Sequence, residues 1–351
     1  MDEPCPHCAE PIRIPDQFCE ACGADRGVHR SGTISTAGAD RSCHGCGLAT
    51  GTPVEYCPQC GLRLRDGTDH VEIDLGMLAG VSDRGHGHAR NEDAMALGYR
   101  KPMGHRTPMG QLAAVVCDGV STVHSPELAS RAAVEVALDV LLGAGNAPAE
   151  QRSRDAVAAA ARAVSALPAP SARNAPSCTL VSALVDRTAP EITVAWVGDS
   201  RAYWLAEAGA AEPARRLTTD HSWAAEMVAA GRLDVPTAMA DARAHAITHW
   251  LGAGDEPKPG VVTLRPAGSG VLLLCSDGLW NYLPDAEELA AITLPAITPP
   301  AITLPAITLP AITQGSGSLD AAAALTAVAL ARGGHDNITV VVIPITVRSP
   351  S

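Results

Sequence analysis

Aromatic residues are scarce, with one Phe, four Tyr and five Trp in 351 residues. A core large enough for two or three domains must therefore be filled by Ala, Val, Leu and Ile. No stretch approaches the run of about 18 apolar residues that a membrane span needs. The acidic N-terminus MDEPCPHCAEPIRIP has no apolar signal core either. Membrane insertion is not expected, and the default location is the cytoplasm. Positive charge is in deficit, 26 Lys and Arg against 38 Asp and Glu, for a net charge of −12. That balance argues against broad contact with nucleic-acid phosphates and favours proteins, metals or small ligands as partners. Disulfides do not persist in a reducing cytoplasm, so the eleven cysteines turn attention to metal.

Eight of those cysteines lie in the first 60 residues as four C-x-x-C pairs: Cys5/Cys8, Cys19/Cys22, Cys43/Cys46 and Cys57/Cys60. Ten residues separate the pairs within each half, and the second half repeats the first at an offset of 38. Each half supplies four thiolates from two tight knuckles, which suits one tetrahedral structural Zn²⁺ and leaves no open position for catalysis. Two zinc ions per chain are expected, in a pattern that resembles the double zinc ribbon. Residues 1–70 carry six Arg and no Lys against ten Asp or Glu, so a protein-docking or tethering role is favoured over nucleic-acid binding. His7, His29 and His44 are expected at the surface, and the small, polar stretch 27–42 reads as a linker between the halves.

From about Val71 the chain becomes rich in Ala, Val and Leu. Four apolar runs each present one Asp at a terminus. LAAVVCDG ends at Asp118-Gly119, ITVAWVGD at Asp199 and VLLLCSDGL at Asp277, while Asp336 heads ITVVVI. Strands bring such ends to a common edge, and clustered carboxylates without soft ligands select Mg²⁺ or Mn²⁺. Cys117 and Cys275 precede two of these Asp residues and, by strand alternation, should point into the core.

Around these strands, Ser125-Pro126-Glu127 reads as the cap and first turn of a helix to about Leu142, with Glu127, Arg131, Glu135 and Asp139 outward and Leu128, Val134, Leu138 and Leu141 inward. Thr218 to Gly231 gives a short helix capped by Asp220 or Ser222, with His221 in the capping network. Residues 291–313 repeat AITLP-like pentads without a charge. Pro at every fifth position is expected to keep them extended or polyproline-like.

The segments SDRGHGHARNEDA (82–94), VVCDG (115–119), CTLVSALV (178–185), VGDSRAYWL (197–205), LTTDHS (217–222), AITHWLG (246–252), LLLCSDGL (272–279) and GGHDNITVVV (333–342) follow in order the motif series of metal-dependent PP2C-type serine/threonine protein phosphatases. The chain resembles that family over about residues 71–347. The resemblance implies an α+β fold, a four-layer α/β/β/α sandwich, preceded here by two small zinc ribbons. Residues 1–62 would form the ribbons, 63–70 a linker and 71–347 the phosphatase domain, with the pentads as an insertion at 291–313. It further implies two Mn²⁺ or Mg²⁺ ions, with Asp118 bridging both, the Gly119 carbonyl binding one, and Asp277 and Asp336 holding the other. Glu92 and Asp93 would act largely through metal-bound waters, and Asp199 with Asp277 would hold a third, looser ion found in several bacterial members. Phosphorylated proteins, and through them Ser/Thr kinases and their substrates, are the implied partners. The implied chemistry is attack by metal-activated water, which needs no cysteine nucleophile.

Two departures stand out. Where bacterial members carry an Arg that grips the substrate phosphate, this chain has His88, with an Arg two residues later as Arg90. Either residue is a candidate phosphate contact, and Arg90→Ala is expected to raise KM more than His88→Ala. After the Asp118-Gly119 turn the usual Gly-Gly is Ser121-Thr122, and Val120 stands where many eukaryotic members have a His, leaving His124 as a candidate general acid. An active phosphatase is the favoured reading; a catalytically weak or inactive phosphoprotein-binding adaptor on the same fold is the alternative.

Overall fold

The computed structural model describes residues 68–101, 110–143, 147–206, 210, 212–252, 257–297 and 316–347, together with 3–4, 8, 10–12, 20–22, 28–30, 48 and 57–59. Cys5, Cys19, Cys43, Cys46 and Cys60 of the expected ribbons lie outside the described residues, as do 298–313 of the pentad stretch. Near the N-terminus, β1 (Glu3–Pro4) pairs antiparallel with β2 (Pro11–Ile12), Glu3 facing Ile12. The stretch read as a linker contains instead a short strand, β3 (Val28–Arg30).

Three of the expected zinc ligands are described, and they differ. Cys57 is buried, with Leu48 packed against it. Cys8 and Cys22 are exposed. Each stands in a turn. Cys5 and Cys19, the other two expected ligands of that half, lie outside the described residues.

The strands that follow are β4 (His70–Asp74), β5 (Ala79–Asp83), β6 (Ala94–Arg100) and β7 (Gln111–Cys117). Helices α1 (Pro126–Leu141) and α2 (Ala149–Ser165) lead to β8 (Leu180–Asp186), β9 (Glu191–Val197), β10 (Arg201–Ala206) and the two-residue β11 (Arg215–Arg216). Next come α3 (Trp223–Ala229), α4 (Val235–Met239), β12 (Gly260–Leu264), β13 (Gly270–Cys275) and α5 (Asp277–Trp280). The last elements are α6 (Ala286–Ile297), α7 (Ser316–Ala331) and β14 (Ile338–Ile345).

The strands form two six-stranded antiparallel sheets, ordered β11-β10-β13-β14-β5-β4 and β12-β9-β8-β7-β6-β3. Residues of both sheets, among them Val116, Val181, Trp204, Leu272 and Val341, interdigitate in one buried layer between them. α1 and α2 cover the outer face of the second sheet, and α6 and α7 that of the first. The result is the four-layer α/β/β/α sandwich. Central strands such as β8 and β13 are covered on both faces, which is why they read as continuous apolar runs and not as alternating ones. The shortage of aromatics is met by small side chains in register, with Ala129, Ala133 and Ala137 of α1 buried together with Ala156 and Ala160 of α2. Among the described residues no helix is long and apolar enough to cross a membrane.

Three further local expectations need correction. Ser125 precedes α1 but stands in the left-handed region at φ 48° and makes no side-chain cap. Leu128 is 44% exposed while Val134, Leu138 and Leu141 are buried; at about 100° per residue it lies roughly a third of a turn away from them. Residues 291–297 of the pentad stretch are helical, closing α6 with Pro295 inside it. Pro removes only one backbone donor near the helix end. The turn before it is held by the buried Leu289, Ala290 and Thr293, with the Thr293 hydroxyl donating to the Leu289 carbonyl at 2.7 Å.

Candidate active site

β7 and β9 both run antiparallel to β8, so their C-terminal ends lie at one edge of the second sheet. β6, antiparallel to β7, begins at that same edge directly after Asp93. In the facing sheet the end of β13 lies beside the start of β14, Cys275 pairing with Val340. The strand ends of both sheets thereby carry Asp93, Asp118, Asp199, Asp277 and Asp336 into mutual electrostatic range.

Those charges are uncomfortable neighbours. Burial, followed by repulsion from Asp336 and Asp277, lifts Asp93 to about 7 although Thr339 and Ser276 donate to it. Burial, then Asp277 and Asp220, lifts Asp199 to about 7. Burial, then Asp336, lifts Asp277 to about 6. Asp118 is raised well above the usual carboxylate range by burial and then by Asp93, Asp277, Asp199 and Asp336. Asp336 alone moves down: burial pushes it up, but its bond to His88 prevails. The Oδ1 atoms of Asp93 and Asp277 are buried without a hydrogen-bond partner. Among the described residues no three acidic, imidazole or thiol groups are disposed as a ready-made coordination shell. The donor chemistry nonetheless fits a hard cation, because anionic oxygens held at a desolvation cost and partly unpartnered are what such an ion relieves.

The two candidate phosphate contacts separate in space. His88 points into the carboxylates, its Nε2 3.1 Å from Asp336 Oδ1 and its Nδ1 3.8 Å from Glu92 Oε2. The bond to Asp336 raises its pKa, with burial opposing. Arg90 donates to Glu127 Oε1 of α1 at 2.9 Å, and its side chain is 54% exposed. The altered turn after Gly119 has a contact of its own: Ser121 donates to Glu92 Oε2 at 2.6 Å. Gly119, buried, bridges to Cys178.

Several supporting residues carry no sequence signal of their own. Ser276 and Thr339 each donate to Asp93 Oδ2 at 2.7 Å. Asn337, 2% exposed, accepts from the Glu92 N–H at 2.7 Å and donates to the carbonyls of Arg84 (2.8 Å) and Arg90 (3.1 Å), stitching the 84–92 loop to the start of β14. Only glycine fits at 85 and 278, where a Cβ would meet the Asp336 carbonyl oxygen at 2.1 Å and that of Asn337 at 2.0 Å. Trp280 donates to the Asp199 carbonyl at 2.9 Å and lies under the Arg201 guanidinium, 3.5 Å from its ring centre. Arg201 in turn grips Asp220 in a two-bond fork at 3.0 and 2.6 Å.

The His221 ring accepts from the Gly198 N–H at 3.2 Å, and the His221 backbone N–H donates to the Gly198 carbonyl at 2.9 Å, so this residue pins the turn before Asp199. Burial and His249 keep its pKa low. The cap of α3 is Ser222, which accepts from the Ala225 N–H. Cys117, Cys178 and Cys275 are fully buried core residues.

The family described as Protein phosphatase 2C matches residues 83–299. Among curated proteins, the serine/threonine phosphatase stp of Listeria innocua is 34% identical over 114 residues, 32% of this chain and 43% of that protein. Protein phosphatase PhpP of Streptococcus pneumoniae is 35% identical over 107 residues, 30% of this chain and 41% of its own. The chain thus matches less than half the length of these relatives. Among solved structures, serine/threonine phosphatase Stp1 from Staphylococcus aureus superposes with a TM-score of 0.58 at 23% identity, covering 78% of this chain and 96% of that one. The Mycobacterium tuberculosis serine/threonine phosphatase PstP/Ppp gives 0.53 at 23% identity, covering 77% and 98%. At such identities the superpositions speak for the fold alone, but the family match spans well over half of the 351 residues and includes four of the five converging carboxylates: the chain belongs to the protein phosphatase 2C family.

Proposed function

We propose that the chain hydrolyses phosphoserine and phosphothreonine on proteins, using two Mn²⁺ or Mg²⁺ ions held among Asp118, Asp277, Asp336, Glu92, Asp93 and the Gly119 carbonyl. A third position would lie between Asp199 and Asp277. The observation carrying this reading is the set of mutually repelling carboxylates at one end of the sandwich, two with buried, unpartnered oxygens. Bound there, the ions supply Lewis acidity and an acidified water at neutral pH.

The chain's own residues do the rest. His88, its Nε2 3.1 Å from Asp336 Oδ1, offers an imidazole N–H to a phosphate oxygen. With Arg90 engaged by Glu127, His88 is the better phosphate contact, reversing the order expected from the sequence. Ser276 and Thr339 occupy one oxygen of Asp93 and leave the other for a cation or its water. Trp280 fixes the Asp199 backbone against the helix that begins at Asp277.

The paired C-x-x-C repeats are assigned to two structural Zn²⁺ ions in a docking or regulatory region, and the opposing enzymes would be Ser/Thr kinases. The assignment rests on cysteine count and spacing. The names of the Listeria and Streptococcus relatives support the substrate class. The test is hydrolysis of a phosphothreonine peptide with added Mn²⁺, comparing wild type with Asp277→Asn. Mn²⁺-dependent turnover lost in the variant is expected, and folded wild type without such turnover would overturn the reading.

A further inference from the structure

The residues just ahead of β4 are bonded into the loop that carries His88. The Asp69 carbonyl accepts from the Arg84 N–H at 2.8 Å, and Asp69 Oδ2 lies 3.5 Å from Arg84 Nε. The Thr68 carbonyl accepts from Asn91 Nδ2 at 3.4 Å. The Arg84 guanidinium then crosses the loop, its Nη1 donating to the His88 carbonyl, while the Arg84 carbonyl is held by Asn337 at 2.8 Å. This ion pair is largely withdrawn from water, the Asp69 and Arg84 side chains being 3% and 12% exposed. The geometry is therefore more confined than that of a surface pair.

We propose that Asp69 and Arg84 form a latch that sets the position of His88, with Arg84 as a positioning residue for the phosphate contact. Imidazole is shorter than a guanidinium, so its reach depends more on where the backbone at 88 is held. The latch starts within ten residues of the last cysteine pair. This inference rests on His88 as the phosphate contact.

The test uses the full chain with Mn²⁺ and a phosphothreonine peptide, with inorganic phosphate as competing ligand. Asp69→Asn and Arg84→Gln are expected to raise KM and the phosphate inhibition constant together by about tenfold with kcat within about twofold, and Arg84→Lys to restore part of the loss. Arg84→Gln added to His88→Ala should cost little beyond His88→Ala alone, because the effect runs through that side chain. A fall in kcat at unchanged KM, or additive effects, overturns the latch. Should Arg84→Gln fail to fold, Asp69→Asn, nearly identical in shape, carries the same comparison. An independent readout is the His88 ring NMR signal in Asp69→Asn without metal: a shifted signal supports the latch and an unmoved one overturns it. If His88→Ala leaves KM and phosphate inhibition unchanged while wild type turns over, the phosphate-contact reading falls, and the NMR result still decides the latch.

Discussion

Replacing Asp199 by Asn should make the metal-free protein more stable while weakening cation binding at the proposed third position. Asp199 is 7% exposed. Burial first, then Asp277 and Asp220, lift its carboxyl from 3.8 to about 7. At about 1.4 kcal/mol per pH unit, that rise of roughly 3 corresponds to an upper figure of about 4 kcal/mol carried by the ionised form in the fold. Because neighbouring side chains relax, about 2 kcal/mol is a realistic gain for the nearly isosteric Asn. The sign follows from the raised value. Below pH 4 the carboxyl is neutral both folded and unfolded and contributes no penalty. The penalty grows as pH climbs through this window and is complete above pH 7. Urea denaturation with chelator present should therefore show Asp199→Asn more stable than wild type at pH 8, the difference shrinking toward pH 5. A variant no more stable at pH 8, or a gain indifferent to pH, would show that the carboxylate is not strained and would remove the electrostatic support for a cation there.

Asn337→Ala removes three hydrogen bonds that join the 84–92 loop to β14; at about 1 kcal/mol each it should lower unfolding free energy by about 3 kcal/mol in urea titrations. His70 donates to Asp83 across 2.7 Å and has a raised pKa, chiefly from that bond. Its contribution to stability is fully present below pH 6.5 and is lost as pH rises through the raised folded value, so the wild-type advantage over His70→Gln in urea midpoint should be larger at pH 6 than at pH 9. Elemental analysis of purified protein should give two zinc ions per chain, falling by one in Cys57→Ser and by one in Cys22→Ser; far fewer than two in wild type would refute the paired tetrathiolate assignment.

Much of the fold was legible because its signals are local. An apolar run ending in Asp-Gly marks a buried strand and its exit, and Ala at every fourth position marks a helix face. Asp118 and Asp277 follow this rule, Asp199 closes its run as Gly-Asp and Asp336 heads its strand; all four come together. The supports around them were not legible. Ser276 and Thr339 are ordinary strand-end residues until β13 and β14 pair and aim both hydroxyls at Asp93. The Arg90 side chain reaches the site or leaves it according to where Glu127 lies, 37 residues away. β3 could not be read either, since a three-residue strand exists only because the edge of β6 is there to pair with it. Cysteine spacing likewise carries no information on burial: Cys22 and Cys57 stand in equivalent C-x-x-C pairs, yet one is exposed and the other covered.

The sequence by itself determined the apolar runs that become the main strands, the acidic strand ends and the repeated cysteine spacing, since each depends on neighbours within a few residues. Tertiary structure alone decided which of two basic residues, His88 or Arg90, faces the carboxylates. It also decided how far burial and mutual repulsion raise those carboxylates, and how Asp69 comes to touch the loop of His88. These are contacts between residues far apart in the chain, and their energies depend on distance and on exclusion of water, which no run of letters specifies.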